Sequence, residues 1–191
     1  MALKLKIILG STRPGRIVPI VGKWVEDLAK QQNGFDVEVV DLKEIDLPLL
    51  DEAGHPRAQA YEHEHTKKWA AKVADADAFI FLTPEYNSFP SAALVNAIQA
   101  LAVEWERKVA AVVSYGGVSG GMRAAQELRQ LLVNMNVMAL PQSVPVPFVF
   151  NYIGEDGVLR PDQPVVDGMA GMFSELAAWG EALKPARAKA A

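Results

Sequence analysis

The sequence predicts an α/β protein: a doubly wound, five-stranded parallel sheet of order 2-1-3-4-5, with helices on both faces in three layers. Short apolar runs alternate with longer stretches whose apolar positions recur at helical spacing, giving five strand–helix units in 191 residues. No internal repeat or long linker interrupts them, and right-handed crossovers leave few topologies for such a chain.

Each element follows from its own pattern. Leu3–Leu9 alternates and then turns fully apolar, as a strand entering a doubly covered sheet does. Gly10–Gly15 is a turn, Ile17–Lys30 a helix, and Phe35–Val40 an alternating strand. Leu42–Pro56 holds Pro48 and Pro56 and reads as an irregular loop. Ala58–Ala74 is predicted as a helix, with Trp69, Ala70 and Val73 on one side. Ala78–Leu82 is a buried strand ending at Thr83-Pro84, and Ser91–Ala102 is a helix starting just after Pro90. Val109–Val113 is the fourth strand, Met122–Asn134 a helix, and Val137–Leu140 a short fifth strand. Val144–Phe148 is too rich in proline to lie centrally in a sheet. Asp167–Leu183 is the last helix, with Met169, Met172, Phe173, Leu176 and Trp179 at three- and four-residue steps. One domain over residues 1–184 and a loose tail over 185–191 are expected.

Composition narrows the function classes. Half the residues are hydrophobic and 22% are charged, which excludes a disordered chain. The net charge of −4 gives no reason to expect a nucleic-acid partner. Without cysteine, thiolate chemistry, disulfides and zinc–thiolate sites are excluded. The apolar run at Ile7–Leu9 is too short for a signal-peptide core, and no stretch has the length to span a membrane. A soluble, cytoplasmic protein is expected.

In an open parallel sheet, ligands bind beyond the carboxyl ends of the strands, beside the reversal of strand order. The loops after strands one, three and four are therefore the informative ones. The first, Gly10-Ser-Thr-Arg-Pro-Gly-Arg16, leaves a strand and enters a helix. Its helix start offers unpaired N–H groups and a positive dipole end. Ser11 and Thr12 add hydroxyls, and Arg13 and Arg16 add guanidinium forks that suit a phosphate. It is not a dinucleotide fingerprint, because Thr12 breaks the G-x-G spelling. Nor is it a nucleoside-triphosphate loop, since Arg16 and Ile17 stand where Lys and Ser/Thr are required. A solvated turn with two surface arginines is the plain structural alternative.

The second loop, Thr83-Pro-Glu-Tyr-Asn-Ser-Phe-Pro90, is bracketed by prolines that limit its freedom. Backbone amides and Asn87 can read the polar edge of a heterocycle, and Tyr86 can cover a flat ring. The third, Ser114-Tyr-Gly-Gly-Val-Ser-Gly-Gly121, removes side chains where something flat must approach the backbone. An ordinary core-capping loop and a flexible hinge are the respective alternatives.

Taken together, these loops resemble the NADPH-dependent FMN reductase family of flavodoxin-like FMN, quinone and azo reductases. The likeness rests on Gly10-Ser-Thr-Arg13, Pro84-Glu-Tyr-Asn87, Asn96-Ala-Ile98, Trp105-Glu-Arg-Lys108, Ser114-Tyr-Gly-Gly117 and Gly120-Gly121. It runs from about Leu3 to about Pro147. It implies that Ser11, Arg13, Arg16, Ile17 and Val18 surround the phosphate of FMN, that Pro84, Glu85, Tyr86 and Asn87 line its ring system, and that Ser114, Tyr115, Gly116 and Gly117 close the other edge. It also implies NADPH or NADH as donor, a flavin, quinone, azo or similar small-molecule acceptor, a homodimer or dimer of dimers, and no metal. Hydride chemistry then belongs to the cofactor, so no catalytic side chain is required, and one site used in turn gives ping-pong kinetics.

Other readings are weaker. His63 and His65, two apart on a helix, point about 200° from each other and do not grip one ion. His55 reads as loop decoration, and Trp24, Trp69 and Trp179 as core or interface. A phosphoacceptor receiver needs carboxylates where this chain has Leu9-Gly10 and Leu82-Thr83. The remaining alternative is a flavodoxin-type electron carrier without NAD(P)H turnover, which typically has a strongly acidic face; a charge of −4 gives only a weak field.

Overall fold

The computed structural model describes residues 2–188. Its strands are β1 (Leu3–Leu9), β2 (Phe35–Asp41), β3 (Ala78–Pro84), β4 (Val109–Tyr115) and β5 (Met138–Val146). They form one parallel sheet in the order β2-β1-β3-β4-β5. The helices are α1 (Val18–Lys30), α2 (Leu42–Ile45), α3 (Glu64–Ala74), α4 (Ala92–Gln99), α5 (Met122–Asn134) and α6 (Gln163–Ala188).

The two-residue period of the strands sorts the core into two layers. Leu5, Ile7, Leu9, Ile80 and Leu82 face α1 and α6. Ile8, Phe79, Phe81 and Val112 face α3, α4 and α5. The second layer holds Trp69 and Trp105, both fully buried, with indole N–H groups donating to the carbonyls of Ala97 (2.8 Å) and Ile98 (3.0 Å). Trp24 packs at the margin of the first layer, while Trp179 is 38% exposed.

Four local expectations change. The helix expected from Ala58 begins at Glu64. Pro56–Ala58 forms a 3-10 turn that ends at Gln59 in the left-handed region, φ 51°. The Glu52 carboxylate then accepts the N–H groups of Glu62 (2.8 Å) and His63 (3.1 Å), supplying from a distant loop the cap that His63 does not. His63 is therefore outside the helix, and the 200° separation does not apply. Its ring stacks on that of His65 (5.2 Å between centroids), and His65 Nε2 lies 3.0 Å from Asp51.

The loop from Leu42 starts with one helical turn, α2, capped by Asp41, which accepts the Lys43 N–H at 2.9 Å. Strand β5 runs on to Val146 instead of stopping at Leu140, because it is an edge strand. Pro141 and Pro145 are tolerated there, and a register shift between Ala110 and Val112 absorbs the irregularity. Finally, α6 continues through Pro185 to Ala188, in place of the loose tail expected from the sequence; residues 189–191 lie outside the described residues. The ion pair of Arg187 with Asp77 (2.7 Å) holds this end against the sheet.

The chain leaves β1 toward β2 on one side and returns to β3 on the other, so strand order reverses at β1. At that point Gly10 donates its N–H to the Leu82 carbonyl (2.9 Å). A Cβ at Gly10 would sit 2.6 Å from that oxygen, so only glycine lets the ends of β1 and β3 come this close.

Candidate functional site

A cavity of about 260 Å³ opens at this reversal point. Its wall comes from the segments following β1 (Arg13, Gly15, Arg16, Ile17), β3 (Pro84, Glu85, Tyr86), β4 (Tyr115, Gly116, Gly117) and β5 (Val149, Phe150). The three loops singled out in the sequence thus meet at one place.

Within the β1 segment the two arginines part company. Arg16 sends both terminal nitrogens to the two carboxylate oxygens of Asp41, and Nη1 also donates to the Ser11 carbonyl at 2.7 Å. Burial alone would raise the Asp41 carboxyl, but the Arg16 guanidinium and the Lys43 N–H outweigh it and hold it below the usual range. The hydrogen bond to Asp41 likewise raises Arg16. Arg13 is exposed and has no carboxylate partner among the described residues; its guanidinium lies 5.9 Å from the centroid of the Tyr86 ring. The positive charge offered by this loop is therefore mainly that of Arg13. Ser11 is buried, with its hydroxyl 2.9 Å from the Tyr86 hydroxyl. Val18 is fully buried in the core beneath α1, and its side chain does not reach the cavity. As the first helical residue, its N–H is one of those an α-helix leaves without an intrahelical acceptor.

The β3 segment folds into a tight turn. Tyr86 and Phe89 exchange backbone hydrogen bonds of 2.9 and 3.1 Å across Asn87 (φ 51°) and Ser88 (φ 71°). Positive φ at both central residues is the primed-turn geometry that asparagine tolerates well. Asn87 consequently sits exposed at the tip, off the cavity wall. Glu85 and Tyr86 face opposite neighbours: Tyr86 reaches Ser11, while Glu85 turns toward the β4 loop and α5.

In the β4 segment, Gly116 and Gly117 present bare backbone to the cavity, and a Cβ at Gly117 would meet nothing within 4 Å. Tyr115 is buried; desolvation, helped by the neighbouring Tyr86, pushes its hydroxyl far above the ordinary range, so it stays a protonated donor. Ser114 is fully buried behind the wall, and its hydroxyl has no hydrogen-bond partner among the described residues.

Sequence reasoning misses Asp41, Val149 and Phe150. Asp41 carries no local signal, because its role depends on the lateral neighbour of β2. Val149 and Phe150 are hidden by ending the fifth strand at Leu140. The Phe148 N–H bonds the Gly117 carbonyl (2.9 Å) and the Val149 N–H that of Gly116 (3.2 Å), fixing the segment beside the glycines.

A doubly wound sheet with a glycine-floored crevice carrying Arg13 at its switch point has the form that suits a flat, anionic ligand. A model of the family described as NADPH-dependent FMN reductase matches residues 3–151. An NAD(P)H-dependent FMN reductase of Schizosaccharomyces pombe is 43% identical over 125 residues, covering 64% of this chain and 62% of that protein. One from Nectria sp is 35% identical over 167 residues, covering 82% and 83%. Among solved structures, the flavoenzyme NAD(P)H:(acceptor) oxidoreductase FerB of Paracoccus denitrificans shares the fold, with a TM-score of 0.73 at 22% identity over 94% of this chain and 98% of that one. The chain belongs to the NADPH-dependent FMN reductase family, a family of oxidoreductases that use FMN with NAD(P)H as electron donor.

Proposed function

We propose that this protein binds FMN in the cavity at the β1/β3 switch point and serves NAD(P)H and a small acceptor in turn through its one open mouth, a ping-pong scheme. The observation that carries this reading is Arg13: a cation with no carboxylate partner among the described residues, set beside a helix start and a floor of bare glycine backbone. The residues fit the group. Arg13 and the N–H of Val18, which opens α1 ahead of Pro19, suit a phosphate dianion. Gly116 and Gly117 leave room for a ring plane, and Gly117 offers a backbone donor along its polar edge, the Gly116 N–H being committed to the Val146 carbonyl (3.3 Å). Tyr115 adds a neutral donor, and Val149 and Ile17 give the wall apolar surface. The volume is small for a ligand pocket, so a ligand as long as FMN extends into the mouth and keeps one side accessible.

When bound, FMN supplies hydride acceptance at N5 and onward electron transfer to a flavin, quinone or azo acceptor. The chain's own task is positioning and electrostatics. Arg16, neutralised by Asp41, braces the phosphate loop rather than supplying its charge. Exposed Phe89, Val118, Met122, Phe148 and Phe150 surround the same end of the sheet, supporting a homodimer or dimer of dimers that covers this rim. No helix among the described residues is long and apolar enough to cross a membrane, and NAD(P)H supply favours the cytoplasm as the place of action.

The test is reconstitution with FMN, followed by anaerobic titration with NADPH and NADH and steady-state kinetics with a quinone. Flavin absorption bands bleached by the nucleotide, with parallel double-reciprocal lines, are expected. Apoprotein that takes up no FMN overturns the reading.

A further inference from the structure

Glu85 lines the cavity, yet its carboxylate is bonded away from it. Oε2 accepts the Ser119 hydroxyl (3.0 Å) and the Arg123 N–H (3.1 Å), and Oε1 lies 3.4 Å from the Arg123 guanidinium. The side chain is only 10% exposed. Helix α5 needs such a partner. Its own N-cap is Gly121, in the left-handed region with no side chain to cap the first turn, and a Cβ there would lie 2.8 Å from Ser114 and Tyr115. Glu85 supplies from the neighbouring loop the anion that a helix N-terminus favours. The backbone adds a second tie, since the Glu85 N–H donates to the Tyr115 carbonyl at 3.2 Å. Arg123 also donates to Ser88 at 3.1 Å, closing the link onto the turn beyond Tyr86.

From this arrangement we propose that Glu85 is a positioning residue: it clasps the glycine loop Gly116–Gly121 and the start of α5 to the β3 segment, and so sets the separation of the two walls that hold a flavin ring. The proposal rests on the flavin reading of the cavity given above. On the β5 side the glycine loop is held by backbone bonds to Val146, Phe148 and Val149; toward the β3 segment the Glu85 carboxylate adds the anchors at Ser119 and the first turn of α5, beside the Tyr115 backbone bond and the Arg123–Ser88 bond.

The charge itself is secondary. Both short bonds fall on Oε2, which the amide oxygen of glutamine reproduces. Glutamine gives up only the ion pair with a guanidinium that is 58% exposed. Glu85→Gln is thus expected to behave close to wild type, and Glu85→Ala is not.

The experiment combines amide hydrogen exchange on the apoprotein with FMN titration followed by fluorescence quenching. Glu85→Ala should speed exchange across residues 116–123 and weaken FMN binding roughly tenfold, a fraction of the two charge-assisted bonds removed. Glu85→Gln should restore both. Ser119→Ala, which deletes the bond to Glu85 and the longer bond accepted from the Gly121 N–H (3.3 Å) but leaves the Arg123 N–H bond and the backbone tie, should shift both in the same direction by less; it also serves if the Glu85→Ala protein does not fold. Faster exchange with unchanged FMN affinity would reduce Glu85 to a helix cap and overturn the proposal, as would unchanged exchange. Wild-type apoprotein that binds no FMN refutes the flavin reading itself, a result that the exchange data distinguish from failure of the clasp.

Discussion

Arg16 and Asp41 form a two-pronged ion pair between the segment after β1 and the end of β2, each side chain only 12% exposed. Arg16 sits on the cavity wall, but its charge is committed. Removing it leaves a carboxylate in a partly dry setting and also releases the Ser11 carbonyl. Arg16→Ala is expected to lower stability by about 2–4 kcal/mol, as expected for breaking a largely buried pair. A double-mutant cycle with Asp41→Asn, read by urea unfolding, should show strong coupling between the two sites.

Arg13 behaves in the opposite way. It is exposed and makes no ion pair among the described residues, so Arg13→Ala should leave the melting temperature unchanged. Its effect should fall on phosphate recognition. Wild type should prefer FMN over riboflavin, and Arg13→Ala should lose about 10- to 100-fold of that preference, the worth of one charge-assisted bond. Equal affinities for the two flavins in wild type would remove Arg13 from the phosphate site.

Two glycines of one loop should separate cleanly. Gly121→Ala puts a methyl 2.8 Å from Ser114 and Tyr115 at φ 82°, and should cost roughly 1–3 kcal/mol of stability. Gly117→Ala meets nothing within 4 Å, so the fold should tolerate it while the methyl intrudes on the cavity and weakens ligand binding. Melting curves and FMN titrations of both variants check the pair.

Acid stability reports on Glu52. Its carboxyl is held at about 2 by hydrogen bonds from the Glu62 N–H, Thr66 and the His63 N–H. The folded value is below the unfolded one, so the unfolded chain binds more protons between them and stability falls as pH drops through that window. The stability difference between wild type and Glu52→Gln should be constant above about pH 5 and shrink toward pH 2. A difference that does not change with pH would show that Glu52 does not cap α3 through its charge.

Much of the site is legible in the sequence because it follows local rules. Gly10, Arg13, Pro84, Tyr86, Gly116 and Gly117 lie in segments that leave strongly apolar strands, and a parallel sheet brings such segments to one edge. Asn87 and Ser114 lie in the same segments but not on the wall: a primed turn lifts the first to its tip, and the two-residue period of β4 turns the second inward. The start of α3 escapes local pattern because its cap, Glu52, is remote in sequence.

Local periodicity thus set the alternation of strands and helices, and with it the edge where a ligand binds. Only the assembled sheet decided which charges remain available. Strand order set Asp41 beside Arg16, 25 residues apart in sequence, and Glu85 beside Ser119 and Arg123, because hydrogen-bonded strands juxtapose groups whose separation in sequence carries no signal.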